Sequence, residues 1–156
     1  AFRLARLRAD SPVRSLHHGN LEDFLYVLEG VSHFLFLAWS AQHDRETSLL
    51  ELELQAEVDK FVTSATLLRR QAGHVATGAL REALFGGVRL RRHLDAPARS
   101  RYREANRLAD RYAGRLAARF AEAGWQKALS AELRRFYRLP LGRKVRCIEA
   151  MSPARS

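Results

Sequence analysis

The stretch Arg99-Ser-Arg-Tyr-Arg-Glu-Ala-Asn-Arg-Leu-Ala-Asp-Arg-Tyr-Ala-Gly-Arg-Leu-Ala-Ala-Arg-Phe-Ala121 holds two interleaved rows of one residue type each. Arg99, Arg103, Arg107, Arg111, Arg115 and Arg119 form one row, and Ala105, Ala109, Ala113, Ala117 and Ala121 form the other, two positions out of phase. Two residues turn an α-helix by about 200°, so a helix here places guanidinium groups on one face and methyl groups on the opposite one. Both rows drift together by about 40° per step, which preserves their separation along the whole length. Small side chains in an i, i+4 row let a second helix approach closely, at a crossing angle near −50°. Tyr102, Tyr112, Leu116 and Phe120 flank the Ala row and add area to bury. The Ala face reads as core. The Arg face reads as a solvated row paired with acids such as Glu104 and Asp110, or as a comb that grips phosphates in bidentate fashion.

The surrounding sequence extends the helical reading. The chain has 156 residues, 47% hydrophobic and 28% charged, which is the size of one domain with enough apolar material for a core. Only four prolines and nine glycines interrupt a composition rich in Ala, Leu and Arg, so intrinsic propensity favours helix over strand. The expectation is an all-α, single-domain bundle of about five to six helices spanning 1–156, with an N-terminal arm over 1–19 and a frayed tail over 152–156. Asn20 is a candidate N-cap for a first long helix over 21–41, with Glu22 and Asp23 suiting its dipole. Ser48-Leu-Leu-Glu51 reads as a capping box that opens a second helix, ending near Gly73, with Leu50, Leu54, Val58, Phe61, Ala65 and Leu68 at helical spacing. A third helix fits 74–85, stopped by Gly86-Gly87. Asp95-Ala-Pro97 opens the Arg/Ala helix, which Gly124 closes after Ala123. Two further helices fit 126–138 and 143–150. The first two long helices, joined by a short polar link, form an antiparallel hairpin that packs on the Ala face.

One cysteine, Cys147, excludes an intrachain disulfide framework, and no Cys/His cluster has zinc-finger spacing; a cytoplasmic setting follows as the default expectation. The longest apolar run, Phe24 to Trp39, is shorter than the roughly 20 residues of a spanning helix and contains Glu29 and His33, so no membrane span is expected. The formal charge of +10 is unevenly placed: residues 1–68 hold 6 Lys+Arg against 10 Asp+Glu, and residues 69–156 hold 21 against 7. Such asymmetry can mark a face for nucleic acid, a membrane surface or an acidic partner, although a coding bias toward Arg would also produce it.

Within the apolar stretch Leu28-Glu-Gly-Val-Ser-His-Phe-Leu-Phe-Leu-Ala-Trp39, a carboxylate and an imidazole need partners. If the hairpin turns near residue 45, facing positions sum to about 90, at the common rise of ~1.5 Å per residue. That register sets His33 level with Glu57 and Glu29 level with Lys60 or Phe61, and pairing Glu29 with Lys60 and His33 with Glu57 makes a buried polar network. A second reading takes Glu29, His33, Glu53 and Glu57 as ligands of a transition metal between bundle helices. It lacks the Glu-x-x-His spacing of di-iron bundles and a second His on the facing helix. His17-His18 and His43-Asp44 sit in predicted loops, and His74 and His93 near helix ends. Cys147 has no evident base, and neither a catalytic triad motif nor a Gly-rich phosphate loop is present.

Arg89, Arg91, Arg92, Arg134, Arg135, Arg138, Arg143 and Arg146 add to the comb, with Trp125, Phe136 and Tyr137 among them as either base-stacking platforms or core. No helix-turn-helix, zinc finger or RNP signature stands out. The sequence therefore predicts a helical interaction domain that uses Arg91, Arg92 and the comb to contact nucleic acid or an acidic protein, without catalysis. The alternative is a metal-binding carboxylate/histidine bundle with redox or hydrolytic chemistry, and homo-oligomerisation is compatible with either.

Overall fold

Seven helices account for most of the residues that the structure, a computed structural model, describes: 2–87, 95–121 and 124–150. In chain order they are α1 (Phe2–Ala9), α2 (His18–Gln42), α3 (Leu49–Ala72), α4 (Thr77–Phe85), α5 (Ala96–Ala121), α6 (Trp125–Arg138) and α7 (Leu141–Glu149). The all-α bundle is as expected, with one helix more than the sequence suggested because part of the N-terminal arm is itself helical. Arg91, Arg92 and the 152–156 tail lie outside the described residues.

Local chemistry sets the helix ends. Ser48 Oγ accepts from the Glu51 N–H at 3.2 Å, as a cap should. The Glu51 carboxylate turns away from the cap to Arg45 and Lys144, so the reciprocal half of the box is spent on tertiary contacts. Gly73 closes α3 at φ 75°, a left-handed conformation that a Cβ would strain. Helix α2 starts earlier than expected. His17 is its cap, its Nδ1 accepting from the Gly19 N–H at 3.1 Å, while Asn20 Oδ1 accepts from the His17 N–H at 3.0 Å. Asn20 is thus inside the first turn, buried, and donates back to the Ser15 carbonyl at 2.8 Å.

The core forms where α3 meets α5. Leu54, Val58, Phe61 and Ala65 of α3 pack on Ala105, Leu108, Ala109, Tyr112, Ala113, Leu116 and Phe120 of α5, and α4, α6 and α7 close the edges with Leu80, Phe85, Leu129, Phe136 and Ile148. Ala105 and Ala109 are fully buried, so the small-residue row does admit a close neighbour. That neighbour is α3. Helix α2 pairs with α3 along the latter's other side, against Glu53, Glu57, Asp59 and Lys60, so the core hairpin meets the Ala face through one helix of the two.

Candidate functional site

Two charged constellations result. The first lies between α2 and α3. Lys60 Nζ donates to Glu29 Oε2 at 2.7 Å and to Glu57 Oε1 at 2.8 Å, so one buried ammonium joins both carboxylates. Burial works to lower the Lys60 pKa, but Glu57 and Glu29 together hold it above the ordinary lysine value. The Glu29–Lys60 contact is the one the hairpin register predicts. His33 departs from it: its Nε2 lies 3.6 Å from Glu53 Oε2, one turn away from the expected Glu57, which Lys60 has already engaged. The Glu53 carboxylate beside His33 outweighs the desolvation of burial and raises the imidazole pKa above its ordinary value. Tyr102 of α5 also lies against Glu53; burial and that carboxylate both raise its pKa. Further along, Ser32 Oγ donates to Asp59 Oδ2 at 2.5 Å, and Gln55 Nε2 donates to Asp59 Oδ1 at 2.9 Å.

The four candidate metal ligands do not converge. Glu29 and Glu57 turn to an ammonium, His33 and Glu53 face each other beside it, and no three His, Cys, Asp or Glu side chains among the described residues come together as a ligand set. A raised His33 pKa makes a testable statement about stability. The folded state holds the proton more tightly than the unfolded state, so this contribution is complete below pH 6.5 and is lost as pH rises through the folded-state value. Urea titrations at stepped pH should show that loss in the parent protein, and His33→Gln should remove it.

The second constellation is basic. The comb is engaged internally over most of its length. Arg107 pairs with Glu104 at 2.7 Å, as the sequence allowed, and lies 3.6 Å from Glu149. Arg111 donates to the Glu149 carbonyl at 3.1 Å, and Arg115 and Arg119 lie 2.9 and 3.6 Å from Glu132 of α6. Asp110 goes to Arg81 of α4 at 2.8 Å, not to the comb. These arginines bind α5 to α6 and α7. Arg99 and Arg103, at the start of the row, have no ion pair to a described carboxylate.

The exposed cations gather at the α6–α7 corner instead. On α6, Leu129 and Phe136 face the core, which turns Lys127, Arg134 and Arg138 outward with Arg135 beside them. After the turn at Leu139 and Pro140, Arg143 and Arg146 are exposed on α7. None of these five arginines makes an ion pair with a described residue, and no acidic residue occurs between Glu132 and Glu149. The corner is held from beneath. Arg45 donates to the Leu139 carbonyl at 2.8 Å, and the buried Lys144 donates to Gln55 Oε1 at 3.0 Å and lies 3.3 Å from Glu51. The interleaved aromatics belong to this support: Phe136 stacks on Tyr112 at 4.1 Å, and Tyr137 meets Phe36 and Trp39 edge-on at 4.9 and 5.2 Å. The sequence places these five arginines beside the comb, but spacing does not show which of the basic residues carboxylates from other helices reach.

No family model, curated protein or solved structure matches this chain.

Proposed function

We propose that this chain is a non-catalytic binding module for nucleic acid, which holds the phosphate backbone through Arg134, Arg135, Arg138, Arg143 and Arg146. The observation that carries this reading is the accumulation of exposed guanidinium groups on one corner without a carboxylate among them. Guanidinium groups match phosphate oxygens in a bidentate way, and Arg134 and Arg138, four apart on one helix face, present two such forks side by side. Since the neighbouring aromatic rings are occupied in packing, binding reads charge and shape, not bases. Buried Lys144 and the Arg45 contact to the corner's backbone fix the two helices at their joint, so the backbone that carries the arginines is set before the ligand arrives.

Fluorescence anisotropy with a labelled duplex of arbitrary sequence tests this. With about four phosphate contacts, affinity should fall on the order of 10²-fold between about 50 and 200 mM salt. Arg134→Glu with Arg138→Glu should abolish most of the binding and flatten the salt slope by about two. Arg103→Glu with Arg107→Glu should cost less, because Arg107 is already paired. An absence of binding at low salt, or equal losses from the two double variants, would overturn the assignment to the corner.

A further inference from the structure

Helix α2 is built inside out. Its polar side chains Glu29, Ser32 and His33 face α3, while Val31 (46% exposed), Phe34 (70%), Leu35 (55%) and Leu37 (47%) face solvent. Val27, Gly30, Val31, Phe34, Ala38 and Ala41 recur at helical spacing on the side opposite Ser32, Phe36 and Ser40, the buried positions in the second half of this helix. Among the described helices, α2 is the one long and apolar enough to cross a bilayer, with only 17% of its most apolar window buried. We propose that this face is the seat of a second copy of this chain, with the two α2 helices antiparallel about a two-fold axis.

Area, charge and shape support that occupant. At roughly 150–200 Å² per large side chain, the four exposed residues leave on the order of 400 Å² of apolar surface, a large patch for a lone monomer. Gly30, Ala38 and Ala41 beside them bring two copies together near ~1,000 Å², the lower bound of a specific interface. No Asp, Glu, Lys or Arg lies between Gly30 and Gln42, so a two-fold axis through this band brings no like charges together. A lipid surface fits less well. Helices that lie on membranes carry Lys and Arg on their polar face, whereas α2 has Glu22, Asp23 and Glu29 and no basic residue other than histidine. Shape favours a helix partner in particular. Phe34 has Gly30 one turn before it and Ala38 one turn after, and a Cβ built on Gly30 meets nothing within 4 Å. In an antiparallel pair, each Phe34 ring seats over a small residue of the other copy, which lets the backbones approach.

Sedimentation equilibrium of the full chain from about 1 to 100 µM, with flotation on phosphatidylcholine/phosphatidylglycerol vesicles in parallel, tests the proposal. The expected result is a concentration-dependent dimer of 17.8 kDa chains that does not float. Phe34→Glu should give a monomer with an unchanged circular-dichroism spectrum, since the ring makes little contact within its own copy. Ala38→Arg should do the same from the receiving side. A monomer at every concentration, an oligomer indifferent to both substitutions, or a monomer that floats until Phe34 is replaced would each overturn it. Nucleic-acid binding by the α6–α7 corner is read separately, and neither outcome decides the other.

Discussion

Lys144→Ala is expected to lower the unfolding free energy by about 2–5 kcal/mol, the range found when a long, fully buried side chain is cut back to Ala. Lys144 is fully buried, with its ammonium 4.5 Å from the Phe36 ring and 5.2 Å from the Phe136 ring. Truncation opens a cavity between those rings and leaves Gln55 Oε1 without its donor. Lys144→Met separates the contributions. It restores most of the volume, and Glu51 keeps Arg45, so about half or more of the loss should return. The pH dependence carries the signature. Burial lowers the Lys144 pKa to about 8, so between pH 8 and the ordinary lysine value of 10.5 the unfolded chain binds more protons than the folded one. Stability from this group therefore rises with pH across that window. Lys144→Met should abolish that rise in denaturant titrations from pH 7.5 to 9.5, and an unaltered slope would show that another group is responsible.

Phe61→Ala should cost a similar amount, about 3–5 kcal/mol, by a different mechanism. Phe61 has no exposed surface and sits where three helices meet: its ring is 6.1 Å from Phe120 of α5, edge-on, and 6.4 Å from Phe85 of α4. Removing it deletes contacts to both neighbours at the centre of α3, where nothing can relax inward to fill the space. Phe61→Leu keeps most of the volume and should recover more than half. Thermal unfolding of the pair checks this, and near-equal values for Ala and Leu would mean that this part of the core is loosely packed.

How much of this was legible in the sequence differs by element. Ala105, Ala109 and Ala113 of the Ala row are buried as the sequence led one to expect, because period and phase fix a helix face whatever packs against it, while Ala117 is only partly buried. The Glu29–Lys60 pair followed from hairpin register, which set Glu29 level with Lys60 or Phe61, together with the charge that singles out Lys60. The His33 partner did not, since Lys60 can draw in Glu57 from its own helix and a one-turn choice lies below the resolution of a register argument. For the comb, regular spacing tells which residues share a face but not whether carboxylates on other helices reach that face. Glu132 and Glu149 come from sequence far beyond α5, and only the fold brings them in. Likewise, the sequence set α2 in a hairpin packed on the Ala face, without showing how much of its apolar surface that hairpin covers. The composition of a helix does not say which neighbours it lacks, and α2 spends its few polar side chains inward.

The acids of this basic protein are disposed in a way that bears on ionic strength. Glu51, Glu53 and Glu132 are shielded from solvent and matched with Lys144, His33, Arg115 and their neighbours. Mobile ions screen exposed charges over about 8 Å at physiological strength but reach buried pairs far less. Adding salt should therefore weaken attraction at the arginine corner, and the half-exposed Arg107–Glu149 pair with it, while leaving the buried pairs of Glu51 with Arg45 and Lys144 almost untouched. Ligand release and unfolding would then respond to different solution variables, the first to salt and the second to denaturant.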